Sequence, residues 1–130
     1  MWLVDSSKII EWMHCGRSPV RILQPFVIAG QLSTCGIVRV EVLRGVVKPA
    51  IRDEMAALFA AIPEVPLSSD LWNRAADLAW TLDRKGNILP VTDLLIASCA
   101  LHAGAIVVSV DPHFGSIPGL RVRRDLPEWA

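Results

Sequence analysis

Thr92-Asp93-Leu94-Leu95-Ile96-Ala97-Ser98-Cys99-Ala100-Leu101-His102-Ala103-Gly104-Ala105-Ile106-Val107-Val108-Ser109-Val110-Asp111 is the stretch on which the fold turns. Its first half is rich in Leu and Ala, and its second half, after Gly104, is β-branched and runs into an acid. A helix, a glycine stop and then an apolar strand with no polar alternation describe a parallel strand buried on both faces. His102 and Gly104 break the oily stretch, so helix–turn–strand is expected in place of a membrane span. Thr92 is expected to cap the helix and Gly104 to end it.

The N-terminus repeats the strand-then-acid pattern in Trp2-Leu3-Val4-Asp5. Asp5 and Asp111 are thus expected at strand carboxyl ends, where open α/β sheets place their sites. Ser6-Ser7 is followed by a short helix with Ile9, Ile10 and Met13 inward and Gly16 as its stop, and Arg17-Ser18-Pro19 reads as a loop. Helices are expected over 22–32 and 37–46, although Val and Ile in the second suit a strand equally well. Ile51, Met55, Leu58 and Phe59 mark a helix over 50–61, and Glu64-Val65-Pro66-Leu67 reads as a minor edge strand because its proline excludes a central place. Ser68-Ser69-Asp70 caps a long helix with the stripe Leu71, Trp72, Ala75, Leu78, Ala79 and Leu82, stopped by Gly86; Leu120–Val122 is a last short strand. The expectation is one α/β domain over 1–130, with a central, mostly parallel sheet of four to five short strands flanked by helices.

Hydrophobic residues make up 52% of the chain and charged residues 20%, with a mean hydropathy of +0.42. Either a doubly covered sheet or a buried partner interface produces such an excess. The 13 basic and 13 acidic residues cancel, without the basic bias usual in nucleic-acid binders. Arg121, Arg123 and Arg124 read as the solvated rim of an edge strand. Cys15, Cys35 and Cys99 show no paired spacing, so no disulfide frame or zinc site is expected, and Cys99 reads as a buried helix thiol. The N-terminus lacks the basic region and apolar core of a signal peptide, so a cytoplasmic protein is expected.

Four acids remain: Asp5, Asp93, Asp111, and Glu41 within Ile37-Val38-Arg39-Val40-Glu41-Val42-Leu43. Each has a plain alternative reading. Asp5 suits a turn or cap, Asp93 complements a helix dipole, and Asp111-Pro112 is a common turn opening. Glu41 is harder to dismiss, because apolar neighbours leave it no obvious solvent face. Two carboxylates within 4 Å repel by about 4 kcal/mol at an effective dielectric of 20, so converging acids need protons, bases or cations. Mg²⁺ and Mn²⁺ suit oxygen donors, and phosphodiester hydrolysis is the chemistry expected of such a site. No phosphate-cradling glycine motif and no Ser/His/Asp or Cys/His arrangement competes with it.

The pieces Leu3-Val4-Asp5-Ser6-Ser7, Glu41-Val42-Leu43-Arg44-Gly45, Pro90-Val91-Thr92-Asp93-Leu94-Leu95-Ile96-Ala97 and Ser109-Val110-Asp111-Pro112-His113-Phe114 occur in an order and rough spacing that resembles the PIN-domain ribonucleases, specifically the VapC toxins of toxin–antitoxin pairs. The resemblance implies a PIN-like fold and a metal-dependent endoribonuclease using Mg²⁺ or Mn²⁺. It makes Asp5 and Asp93 principal ligands, with Glu41 and Asp111 binding directly or through water, and gives Ser7 a supporting role. Ser109 stands where the family usually has Thr, and His113 where some relatives carry a second acid. It further implies RNA substrates such as tRNA or rRNA loops, a VapB-type antitoxin whose C-terminal segment covers the site, and a homodimer. A catalytically silent PIN-fold module that binds RNA or protein is the alternative; the presence of all four acids speaks against it. A phosphorylation-dependent receiver would need paired acids after the first strand and a Lys after the last, whereas Ser6-Ser7 follow Asp5 and all three lysines lie earlier. His113 is expected to face solvent or pack its loop, and His14 and His102 to sit at helix ends. Trp72 and Trp80 are expected in the core. Trp12 and Trp129 are unplaced by pattern and, if exposed, would suit a partner surface.

Overall fold

A computed structural model describes residues 1–129. The elements run β1 (Trp2–Val4), α1 (Ser6–His14), α2 (Pro19–Ile28), β2 (Leu32–Ser33), α3 (Gly36–Arg44), α4 (Pro49–Ala60), α5 (Ser69–Arg84), α6 (Val91–Ala103), β3 (Ile106–Val108), a 3-10 helix (Pro112–Ser116) and β4 (Val122–Arg123). The strands form one sheet in the order β2-β1-β3-β4, and every pairing is parallel. Glu64 extends it by a single parallel bridge to Thr34, the reduced form of the expected edge strand. The expected α/β class with a short-stranded parallel sheet is the fold observed.

Successive residues of a strand face opposite sides of a sheet. Leu3 and Val4 are both buried, as are Val107 and Val108, so helices cover both faces. This accounts for much of the apolar excess. The order also fixes where a site can form. The chain leaves β1 for β2 on one side and leaves β3 for β4 on the other, so the connections diverge between β1 and β3. A crevice opens beyond the carboxyl ends of strands at such a switch point.

Several local expectations are corrected. The helix expected over 22–32 starts earlier, at Pro19, with Ser18 accepting a hydrogen bond from the Arg21 N–H at 3.3 Å, so Ser18 is a cap and not loop. It also stops earlier: Gly30 takes a φ of +65°, and Leu32–Ser33 turn into β2, a strand too short to leave a periodic trace. The cap of α6 is Pro90; Thr92 lies exposed in the first turn. Trp72 and Trp80 are 48% and 63% exposed, so the stripe of α5 that packs is Leu71, Ala75 and Leu82. Trp12 is the reverse case, a core residue at 2% exposure, paired with Ile9 on the inner face of α1 while Ile10 and Met13 are half-buried. Trp129 is half-exposed, edge-on to Phe26 with ring centroids 4.8 Å apart. The last strand is Val122–Arg123, starting two residues later and ending one later than expected, and Arg121, Arg123 and Arg124 are exposed along it as expected.

Candidate metal centre at the switch point

Asp5 follows β1 directly, and its backbone N–H still donates to the Val108 carbonyl of β3 at 2.9 Å. It occupies the N-cap position of α1, yet its side chain makes no capping bond. The carboxylate instead turns beneath the crevice, 2% exposed, and accepts the Ser7 hydroxyl at 2.7 Å and the Ser109 hydroxyl at 2.9 Å. Those hydroxyls are 3.0 Å from each other, so β1–α1 and the end of β3 share one polar knot. Ser109 also accepts the Asp111 N–H at 2.9 Å, which sets where the chain turns after β3. The hydroxyl, rather than Thr's extra methyl, is what this position uses.

Glu41 reaches the same crevice from α3. Val38 and Val42 bury the helix against the core, and Glu41 is half-buried beside them. The Ser6 hydroxyl joins it to Asp5, donating within 3.2 Å of Glu41 Oε1 and lying 3.5 Å from Asp5 Oδ1. Ser6 had no assigned role in the sequence reading; its contacts are visible only once α1 and α3 pack. Burial raises the Glu41 carboxyl above its ordinary range. The Ser6 bond opposes this, and the nearby charges of Asp5 and Asp93 add to it.

Asp93 lies in the first turn of α6 and is buried. Burial raises its carboxyl too; the His113 bond opposes the rise, while the charges of Asp111 and Asp5 reinforce it. Asp111 caps the 3-10 helix by accepting the His113 N–H at 2.9 Å, so its plain turn-forming role is real and coexists with its place in the cluster. The His113 ring is partly exposed, as expected, but its Nδ1 also turns toward two of the acids, an orientation not expected from the sequence. Its Nδ1 lies 2.7 Å from Asp93 Oδ2 and 3.1 Å from Asp111 Oδ1. The Asp93 bond, then the charges of Asp111 and Asp93, raise the imidazole above its ordinary value. The sole sequence signal for this was closeness in the chain, two residues beyond Asp111.

The four acids singled out from sequence fall into two adjoining groups: Asp5 and Glu41 are joined through Ser6, and their charges reach Asp93, which stands with Asp111. Asp93, Asp111 and His113 place one donor atom each within 4.8 Å of one another. Carboxylates pushed up by burial and mutual repulsion are short of positive charge, and a hard divalent cation with oxygen donors answers that deficit. The donor set fits such an ion.

The charge deficit carries a prediction for the metal-free protein. Folded Glu41 binds its proton more tightly than unfolded Glu41, so stability falls as pH rises from the ordinary Glu range of about 4.3 through the raised value. Glu41→Gln, which keeps an acceptor for Ser6, is expected to raise the melting temperature at neutral pH without added cation. The gain should shrink toward zero as the pH falls below about 4, where the carboxyl becomes protonated in the unfolded as well as the folded state. Thermal unfolding of both proteins across this range checks it.

Comparison with known proteins agrees with this architecture. VapBC2 from Rickettsia felis, solved bound to a DNA fragment from its promoter, superposes with a TM-score of 0.75 at 21% identity, over 94% of this chain and 96% of that one. DNA-bound VapBC from Salmonella typhimurium gives 0.72 at 20%, over 94% and 96%. VapC20 of Mycobacterium tuberculosis, a sarcin-ricin loop cleaving toxin, gives 0.67 at 15%, over 95% and 99%. At these identities the likeness is one of fold. No curated protein sequence is a significant match. A family profile described as PIN domain covers residues 2–120, from β1 through the 3-10 helix and beyond it. With that profile spanning both acid-bearing strand ends, the chain belongs to the PIN domain family.

Proposed function

We propose that this protein is a metal-dependent endoribonuclease of the VapC type, the toxin of a toxin–antitoxin pair, formed by a single domain over 1–130 and acting in the cytoplasm. The observation that carries the reading is the close grouping of Asp93 and Asp111 beside the Asp5–Ser6–Glu41 set, with Glu41 and Asp93 held above their ordinary range. A carboxylate cluster of this kind suits a cation site better than a purely structural one, because burying like charges without a counter-ion is costly. Mg²⁺ or Mn²⁺ is the proposed cofactor. When bound, the cation supplies Lewis acidity at a scissile phosphate and offsets the charge that builds there.

The chain's own residues have separable tasks. Asp5 and Asp93 are the proposed principal ligands, and Glu41 and Asp111 complete the acidic set. Ser7 and Ser109 hold the Asp5 carboxylate in one orientation through short hydrogen bonds. Single-stranded loops of structured RNA, tRNA or rRNA, are the proposed substrates; the loop-cleaving activity named for VapC20 supports that class. A VapB-type antitoxin is the proposed partner, supported by the VapBC complexes among the neighbours. An apolar groove of about 330 Å³, lined among others by Ile10, Met13, Val42, Val47 and Ile51, suits an amphipathic partner segment. Exposed Trp72 and Trp80 on α5 support the further proposal of a homodimer. No described helix is long and apolar enough to cross a membrane.

The test is incubation of the purified, antitoxin-free protein with tRNA, rRNA and a sarcin-ricin loop oligonucleotide, with mapping of new 5′ ends. Discrete ends formed in Mn²⁺ or Mg²⁺ and absent after chelation are expected. Saturable RNA binding without any cleavage would assign the catalytically silent alternative instead.

A further inference from the structure

We propose that His113 is a protein ligand of this centre alongside Asp93 and Asp111, and that it biases the site toward Mn²⁺ and heavier first-row dications over Mg²⁺; the inference rests on the metal-centre reading above. The geometry comes first. Nδ1 of His113 lies 2.7 Å from Asp93 Oδ2 and 3.1 Å from Asp111 Oδ1. Neighbouring donors around an octahedral ion at about 2.1 Å are separated by about 3 Å. The imidazole nitrogen thus stands at neighbouring-donor spacing from each of the two carboxylate oxygens, with one donor atom of each residue within 4.8 Å of the others, although in the metal-free protein its contact with Asp93 is a hydrogen bond.

The placement of the ring is built in rather than incidental. The backbone N–H of His113 donates to Asp111 Oδ1 at 2.9 Å, so the same short turn that presents the carboxylate presents the ring. Phe114, next in sequence, is 0% exposed and seats the 3-10 helix in the core. The side chain of His113 itself stays 42% exposed, open to an arriving ion.

The consequence follows from donor chemistry. Mg²⁺ demands oxygen donors and parts with water reluctantly, so a nitrogen in place of an oxygen weakens its hold. First-row dications accept imidazole, with affinity rising from Mn²⁺ through Co²⁺. An acid at position 113 would leave an all-oxygen set; histidine makes it mixed. A purely positioning role, in which the ring orients the two carboxylates without touching the ion, predicts no such discrimination.

The decisive experiment titrates Mg²⁺, Mn²⁺ and Co²⁺ separately into the wild type, His113→Asp and Asp93→Asn by calorimetry. Electron spin echo modulation is recorded on the Mn²⁺-loaded wild type. Expected is binding in the order Mg²⁺ below Mn²⁺ below Co²⁺, a Mn²⁺ preference over Mg²⁺ of about tenfold, and near-equal affinities for those two in His113→Asp. Nitrogen modulation from a directly bound imidazole is expected in the wild type. Because that spectrum needs no variant, it decides the matter even if His113→Asp fails to fold. Saturable Mn²⁺ binding that is lost in Asp93→Asn but shows no nitrogen modulation would overturn the ligand role and leave the centre standing. Absence of saturable binding in the wild type would remove the centre and this inference with it.

Discussion

Asp93→Asn is expected to lower single-turnover RNA cleavage by roughly 10²–10³-fold, the scale on which loss of one preorganised charge-stabilising group is felt. The substitution is close to isosteric, and its amide oxygen can still face the His113 ring, so the fold should survive. Burial already disfavours the Asp93 charge, and the Asp111 and Asp5 charges add to that penalty. The metal-free variant should therefore melt no lower than the wild type at neutral pH. A folded, inactive protein that no longer gains stability from Mn²⁺ is the expected combination. Cleavage by Asp93→Asn at the wild-type rate would remove catalysis from this crevice and assign it to another site or to a contaminating nuclease.

Phe114→Ala is expected to produce the largest loss of stability. The ring is fully buried on the turn between Asp111 and Ile117, and removing a buried Phe side chain costs about 3–5 kcal/mol. For a chain of 130 residues that corresponds to a fall in melting temperature of roughly 10–20 °C. The same ring seats the segment that carries Asp111 and His113, so cation affinity should weaken even at temperatures where the variant remains folded. Thermal unfolding followed by a cation titration on the folded fraction separates the two effects. A variant that melts within a degree or two of the wild type would show that the 3-10 helix is held by its hydrogen bonds and not by its packing.

Strand identity was legible wherever the pattern was long and unmixed. Ala105–Val110 and Trp2–Val4 each run into an acid; Asp5 follows β1 directly as expected, whereas β3 stops at Val108 and Asp111 comes after Ser109 and Val110 as the cap of the 3-10 helix. Leu32–Ser33 left no such trace, because two residues carry no periodicity, and only pairing with β1 makes them a strand. The tryptophans failed for a related reason. Apolar character says that Trp72, Trp80 and Trp12 favour burial, but which face of α1 or α5 meets the sheet depends on how the helices pack. Glu41 was recognisable as out of place among Val and Leu, whereas its hydroxyl partner Ser6 was not, since serine at the start of a helix is ordinary.

By itself, then, the sequence determined the alternation of helix and strand, the parallel class of the sheet and the four acids worth watching. All of these rest on local periodicity and on the cost of placing charge among apolar neighbours. Only the tertiary structure decided that β1 and β3 lie side by side with their connections diverging, that Ser7 and Ser109 hold Asp5, and that His113 faces Asp93 and Asp111. Those relations join residues as much as a hundred positions apart. Their energies come from packing and electrostatics in the folded crevice, which no local stretch of sequence contains.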